Sequence, residues 1–159
     1  MKAVLFALFV GLLMVGCGDG GDSTASEGNR TTAQPVVVVE QWAEWEANPE
    51  PYGGLETLAK IRKAKESGTT RLDLSGNQIT DVTPLAGLKN LTKLVLVGNQ
   101  VTDLTPLARL NKLTKLYLPK NQITDLAPLA NLKNLTKLVL LGNQVTDLTP
   151  LAGLNQLTK

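Results

Sequence analysis

Leu91–Lys112 reads LTKLVLVGNQVTDLTPLARLNK, and Leu135–Gln156 reads LTKLVLLGNQVTDLTPLAGLNQ. Two near-copies in one chain define a repeat, and its frame extends to either side of both. Asn77, Asn99, Asn121 and Asn143 share one phase of a 22-residue period, while Pro84, Pro106, Pro128 and Pro150 share another. Self-similarity at a fixed period of this size marks a stacked array in which each unit contacts only its neighbours. The units around Asn77 and Asn121 also share NQITD and an LKN ending, so a deeper period of 44 underlies the first. Duplication of a two-unit block accounts for both periods.

Within a unit, leucines at alternate positions, such as Leu94 and Leu96, fall on one face of a short strand. The Asn three residues after the second Leu ends that strand. A carboxamide donates and accepts at once, so stacked asparagines can form a structural ladder that satisfies buried backbone groups where the chain turns. The run Asp-x-Thr-Pro-Leu-Ala follows. Thr83, Thr105 and Thr149 are expected at N-cap positions, with Pro supplying the fixed φ of a first helical residue. Ala127 replaces Thr in the third unit, whose turn is therefore expected to be the least well capped.

Over residues 69–159 the pattern LxxLxLxxNxIxDLxPLxxL resembles the internalin-type leucine-rich repeats of bacterial surface proteins. The resemblance implies an α/β solenoid: a leucine-rich-repeat horseshoe with a short parallel β-sheet on the concave side and 3₁₀ turns on the convex side. The apolar set of the second unit is Leu91, Leu94, Leu96, Val101, Leu104, Leu107 and Leu110. It cannot be buried by one unit alone, so neighbours must cover its open faces. An N-terminal helical cap is expected in residues 36–68, with its helix at about 55–67. There Leu55, Leu58, Ala59 and Ile61 fall on one stripe and Gly68 fits a C′ terminator. Val36–Glu46, which holds Trp42 and Trp45, reads as one helix or as a strand running into a helix, broken by Pro49 and Pro51. At the other end Leu157-Thr158-Lys159 opens a fifth unit, and Leu148, Leu151 and Leu154 are expected to be partly exposed. The chain reads as a fragment of a longer array in preference to an edge that pairs with something else.

The N-terminus has a different character. Met1-Lys2 is a short positive region and Ala3–Val15 an apolar run of 13 residues, too short to span a bilayer. Residues 1–16 therefore read as a signal peptide. Met14-Val15-Gly16-Cys17 resembles the lipobox of bacterial lipoproteins, with Met14 in place of the usual leucine. That resemblance implies cleavage before Cys17, lipidation of its sulfur and, with Gly18 following, compatibility with passage to an outer membrane where the cell has two. Residues 17–35 are rich in Gly, Ser, Thr and Asp and read as a disordered tether. It would reach about 20–25 Å.

Composition narrows the function. The 159 residues carry a net charge of +2, but residues 17–56 hold eight acidic residues and one basic (net −7), and residues 57–159 hold fourteen basic and six acidic (net +8). Histidine is absent and Cys17 is the single cysteine, which excludes Ser-His-Asp triads, histidine-ligated metal and an intramolecular disulfide. No metal, cofactor, small-molecule substrate or catalysis is expected. The recurring Asp81, Asp103, Asp125 and Asp147 fall in turns before Pro, where a short acceptor bonds local N–H groups. Without aromatic residues interleaved among the basic ones, nucleic acid is not expected either.

The remaining candidate positions are those the scaffold does not require. Arg71, Lys93, Lys115, Lys137 and Lys159 form one outward column of the strands; Asp73, Val95, Tyr117 and Val139 form the next; Ser75, Val97, Pro119 and Leu141 form a third. A basic row beside the apolar strip Val95, Val97, Tyr117, Val139 and Leu141 would suit a protein or peptide with an acidic edge. The expected function is non-catalytic protein binding by a lipid-anchored envelope or cell-surface protein. The alternative is a stiff spacer or envelope scaffold without a specific ligand.

Overall fold

The computed structural model describes residues 37–158. The signal segment, Cys17, the tether and Lys159 lie outside those residues. Two helices lead into the array: α1 (Val37–Ala47) and α2 (Gly54–Glu66), joined through a 3₁₀ turn at Glu50–Tyr52. Four strands follow, β1 (Arg71–Asp73), β2 (Lys93–Val95), β3 (Lys115–Tyr117) and β4 (Lys137–Val139), alternating with 3₁₀ turns at Thr83–Gly87, Thr105–Leu107, Ala127–Leu129 and Thr149–Leu151. They form one parallel sheet in sequence order, the leucine-rich-repeat solenoid that the repeat implies. Register follows the period: Lys93 pairs with Lys115 and Leu94 with Leu116, each 22 residues on. Among the described residues, no helix is long and apolar enough to cross a membrane.

The core is a column of aliphatic side chains. All seven apolar residues of the second unit are at most 1% exposed, as are Leu113, Leu116, Leu118, Ile123, Leu126 and Leu129 above them. The asparagines sit at the strand ends and reach backward by about one unit. Asn121 Oδ1 accepts the Val101 N–H at 3.1 Å, and its Nδ2 donates to the Leu96 and Leu118 carbonyls at 2.8 and 2.9 Å. Asn99 accepts from Asn77 and Ile79 N–H and donates to the Leu74 carbonyl, and Asn143 serves Ile123 and Leu118 in the same way. Each amide thus fills backbone valences that the turn of the preceding unit leaves buried.

The first unit has no repeat before it and is finished by the cap. The Thr57 hydroxyl of α2, 1% exposed, is shared between the Gly53 carbonyl (2.8 Å) and Asn77 Oδ1 (3.2 Å). The Pro51 carbonyl accepts the N–H groups of Thr80 and Asp81 at 2.8 and 2.9 Å. Gly53 makes this approach possible: its φ is +82°, and a Cβ there would lie 2.5 Å from the Asn77 carbonyl oxygen.

Val37–Ala47 is a single helix, which decides between the two readings of that segment. Trp42 is buried beneath Arg62, whose guanidinium lies 5.0 Å from the ring, and meets Trp45 edge-on at 4.8 Å. Arg62 also pairs with Glu46. Tyr52 packs on Trp45 at 5.9 Å, and burial, with the charges of Asp81 and Glu44, raises its phenol pKa. At the far end of α2, Gly68 takes the left-handed conformation (φ +60°), and the Gly68 and Thr69 N–H groups bond back to Lys65 and Ala64 carbonyls. This is the Schellman arrangement.

Three expectations need correction. The buried stripe of α2 is Thr57, Leu58, Ile61 and Ala64; Leu55 is 57% exposed and Ala59 is also exposed, because the helix meets the array one residue further round. Leu154 is buried where partial exposure was expected, while Leu151 is half-buried and Leu148 open. The threonines before Pro are not N-caps. Thr83, Thr105 and Thr149 are the first residues of their 3₁₀ turns, and the preceding Val or Leu takes the cap position without a side-chain bond. The cap donor is a backbone N–H, which every non-proline residue has. Ala127 therefore donates to Asp125 at 2.8 Å, and the third turn keeps the same bond as the others.

Candidate functional site: the concave face

Because register repeats every 22 residues, Arg71, Lys93, Lys115 and Lys137 lie side by side across the sheet, one per strand. Neighbouring strands are about 4.8 Å apart, so four cations share one edge of the concave face. Among the described residues the one ion pair is Arg62–Glu46, on the helical cap. None of the four row cations is neutralised there. Asp73, beside Arg71, spends its carboxylate on the Ser75 N–H and hydroxyl at 3.0 and 2.6 Å.

The next column is Asp73, Val95, Tyr117 and Val139, again in register. Val95, Val97, Tyr117 and Val139 are half-buried and Leu141 is 78% exposed. The strip is thus better covered than an open apolar patch. Lysines of neighbouring strands provide part of that cover: Lys93 Nζ lies 5.4 Å and Lys137 Nζ 5.7 Å from the Tyr117 ring centroid. A tyrosine flanked by two ammonium groups offers an approaching anion two charges beside an aromatic surface. This sandwich escaped the sequence reading, although the adjacent columns carry the signal for it: a residue lies diagonal to its lateral neighbours on the next strands. A depression of about 190 Å³ lined by Arg71, Thr92, Lys93, Thr114 and Lys115 adjoins the row.

The aspartate column serves the turns. Asp81, Asp103, Asp125 and Asp147 each accept the N–H two residues on, at 2.7 Å for Thr83 and 2.8 Å for Thr105, Ala127 and Thr149. In the last turn, bonds from the Thr149 hydroxyl and N–H hold the Asp147 carboxyl below the usual carboxylate range. These bonds commit one oxygen of each aspartate to its turn. Arg109, exposed on the convex side, belongs to none of the three outward columns of the sheet.

The family described as leucine-rich repeats (2 copies) matches residues 70–109 and 111–153. Among solved structures, internalin C2 from Listeria monocytogenes is 54% identical over 50% of this chain and 35% of its own, with a TM-score of 0.50. The internalin InlF from Listeria monocytogenes is 35% identical over 62% of this chain and 33% of its own, at a TM-score of 0.58. A leucine-rich-repeat protein of Leptospira interrogans is 32% identical over 60% of this chain and 26% of its own, at 0.55. The chain spans about a third or less of these proteins. Among curated proteins, none matches it.

Proposed function

Because this chain belongs to the leucine-rich-repeat family and its repeats are of the internalin type, we propose that it is a lipid-anchored envelope or cell-surface protein whose concave face binds another protein without catalysis. The observation that carries the reading is the row Arg71, Lys93, Lys115 and Lys137, free of acidic partners among the described residues and bordering the strip of Val95, Val97, Tyr117, Val139 and Leu141. A row of like charges held together by strand register gains most from an acidic edge on the partner, which relieves mutual repulsion as it binds. Tyr117, the one aromatic on that face, supplies the amphipathic anchor. Cys17, after its apolar segment, supplies the membrane attachment.

Two experiments test the two halves of the proposal. Wild type and Cys17→Ala are expressed and fractionated, and loss of membrane sedimentation in the variant is expected. Equal sedimentation would overturn the lipid anchor. Soluble domain is then used to capture partners from envelope extracts and host lysates. Tyr117→Ala should weaken a captured partner by more than about 1 kcal/mol, chiefly through faster dissociation. Lys137→Ala should lower the association rate and its salt dependence, and Arg109→Ala should do neither. A partner lost on convex substitution but indifferent to Tyr117 and the lysines would place binding on the other side of the solenoid.

A further inference from the structure

β1 is the first strand of the sheet, and its outer edge is open among the described residues. The N–H of Lys93 donates to the Thr70 carbonyl and the carbonyl of Val95 accepts from the Leu74 N–H, so both Lys93 and Val95 turn their backbone groups toward β1. Arg71 and Asp73 hold the same register positions in β1. By the same alternation they turn their N–H and C=O groups away from β2, toward the side where no strand lies. One of the four groups has a local partner: the Thr69 hydroxyl donates to the Arg71 carbonyl at 3.2 Å.

The edge is one wall of a groove. Helix α2 is the other, and the groove of about 250 Å³ is lined by Lys60, Lys63, Ala64, Ser67, Thr69, Arg71 and Leu72. Leu72 is half-buried here, whereas its register partners Leu94 and Leu116 are fully buried. An apolar side chain laid on Leu72 would complete what the preceding unit supplies elsewhere in the array. Lys60, Lys63 and Arg71 stand around this floor, and among the described residues none has an acidic partner within ion-pair distance. Unpaired strand groups, an apolar floor and a cationic rim are the features by which a sheet edge recruits an extended peptide.

We infer that the groove between β1 and α2 docks an extended acidic segment of a partner protein, which pairs with Arg71 and Asp73 as an added strand and places an apolar side chain on Leu72. The site shares Arg71 with the concave row and otherwise lies at the sheet edge, apart from Lys93, Lys115 and Lys137.

The test uses the full chain and an acetylated, amidated heptapeptide of alternating glutamate and valine. At saturation, amide hydrogen exchange at Arg71 and Asp73 should slow at least five-fold, with no comparable change at Lys115 or Lys137. Lys60→Glu combined with Lys63→Glu, on the exposed side of α2, should weaken the peptide at least ten-fold without moving the melting midpoint. Arg71→Pro removes an N–H that β2 does not use, while Arg71→Ala keeps it, so the proline variant should bind at least five-fold more weakly than the alanine one. Binding abolished by Lys115→Glu but indifferent to the Lys60/Lys63 pair would overturn the edge site and assign acidic peptides to the concave face. Unchanged exchange at Arg71 and Asp73 in the peptide-bound protein would overturn it as well.

Discussion

The second and fourth units differ in sequence only at Val97/Leu141, Arg109/Gly153 and Lys112/Gln156, yet they occupy different environments. Leu96, Val101, Leu104 and Leu107 are at most 1% exposed, whereas Leu140, Val145 and Leu151 are half-buried and Leu148 is 62% exposed. Nearly the same residues are thus less buried in the fourth unit, except Leu135 and Leu154, which stay in the core. In this fold, burial belongs to the interface between units, since a unit's two open faces are closed only by what stacks on them. Stability should therefore be graded by position along the array.

Paired substitutions at equivalent positions give the largest effect. Leu104→Ala removes fully buried contacts and should cost about 2–5 kcal/mol, while Leu148→Ala should cost less than about 1 kcal/mol. Denaturant midpoints of the two variants check this, and equal losses would mean that the units are not distinguished by their neighbours. The asparagines sharpen the comparison. Asn121→Ala strands buried N–H and C=O groups in two units and should cost about 1–3 kcal/mol or more. Asn143→Ala, at a half-buried position, should cost less, and Lys115→Ala on the concave surface should stay within about 0.5 kcal/mol.

A third prediction exploits a departure of the third unit from the others. Gly76, Gly98 and Gly142 have φ between +64° and +73°, and the equivalent residue is Lys120 at +57°. A side chain in the left-handed region is strained, so Lys120→Gly should stabilise the protein by about 1 kcal/mol, read as a raised denaturant midpoint. The smallest effect concerns acid. Asp147 has a lowered pKa because the Thr149 hydroxyl and N–H bond its carboxylate. Its contribution is therefore present above the unfolded-state pKa and is lost as pH falls through the lower folded value. Asp147→Asn should lose slightly less stability than wild type between pH 7 and pH 3, as compared by urea melts.

The array was legible in the sequence because its register repeats it: a 22-residue period places Lys93 beside Lys115 and Asn99 one step from Asn121 without any knowledge of long-range contacts. The carboxylate turns were legible for a related reason, each being closed within two residues. What escaped the reading depends on meetings between non-equivalent segments. The docking of Pro51 and Gly53 on the first turn joins residues nearly 30 apart with no repeating counterpart, so no period announces it. The phase of α2 was missed by one residue because Leu55 and Ala59 continue the apolar stripe in sequence, whereas the array selects Thr57 for its hydroxyl. In the concave site the columns were readable, but the closeness of Lys93 and Lys137 to the Tyr117 ring is a matter of side-chain rotamers.

The amides of Asn99, Asn121 and Asn143 each serve the turn before their own, and the threonine column is oriented the same way: the hydroxyls of Thr92, Thr114, Thr136 and Thr158 donate to the carbonyls of Thr70, Thr92, Thr114 and Thr136. The dependence is one-directional, and so is biosynthesis. As the chain leaves the ribosome from its N-terminus, the helical cap is available to receive the first unit, and every later unit completes its predecessor on arrival. A nascent array of any length then carries a single unfinished turn at its growing end, and lengthening the gene by whole periods adds no new one.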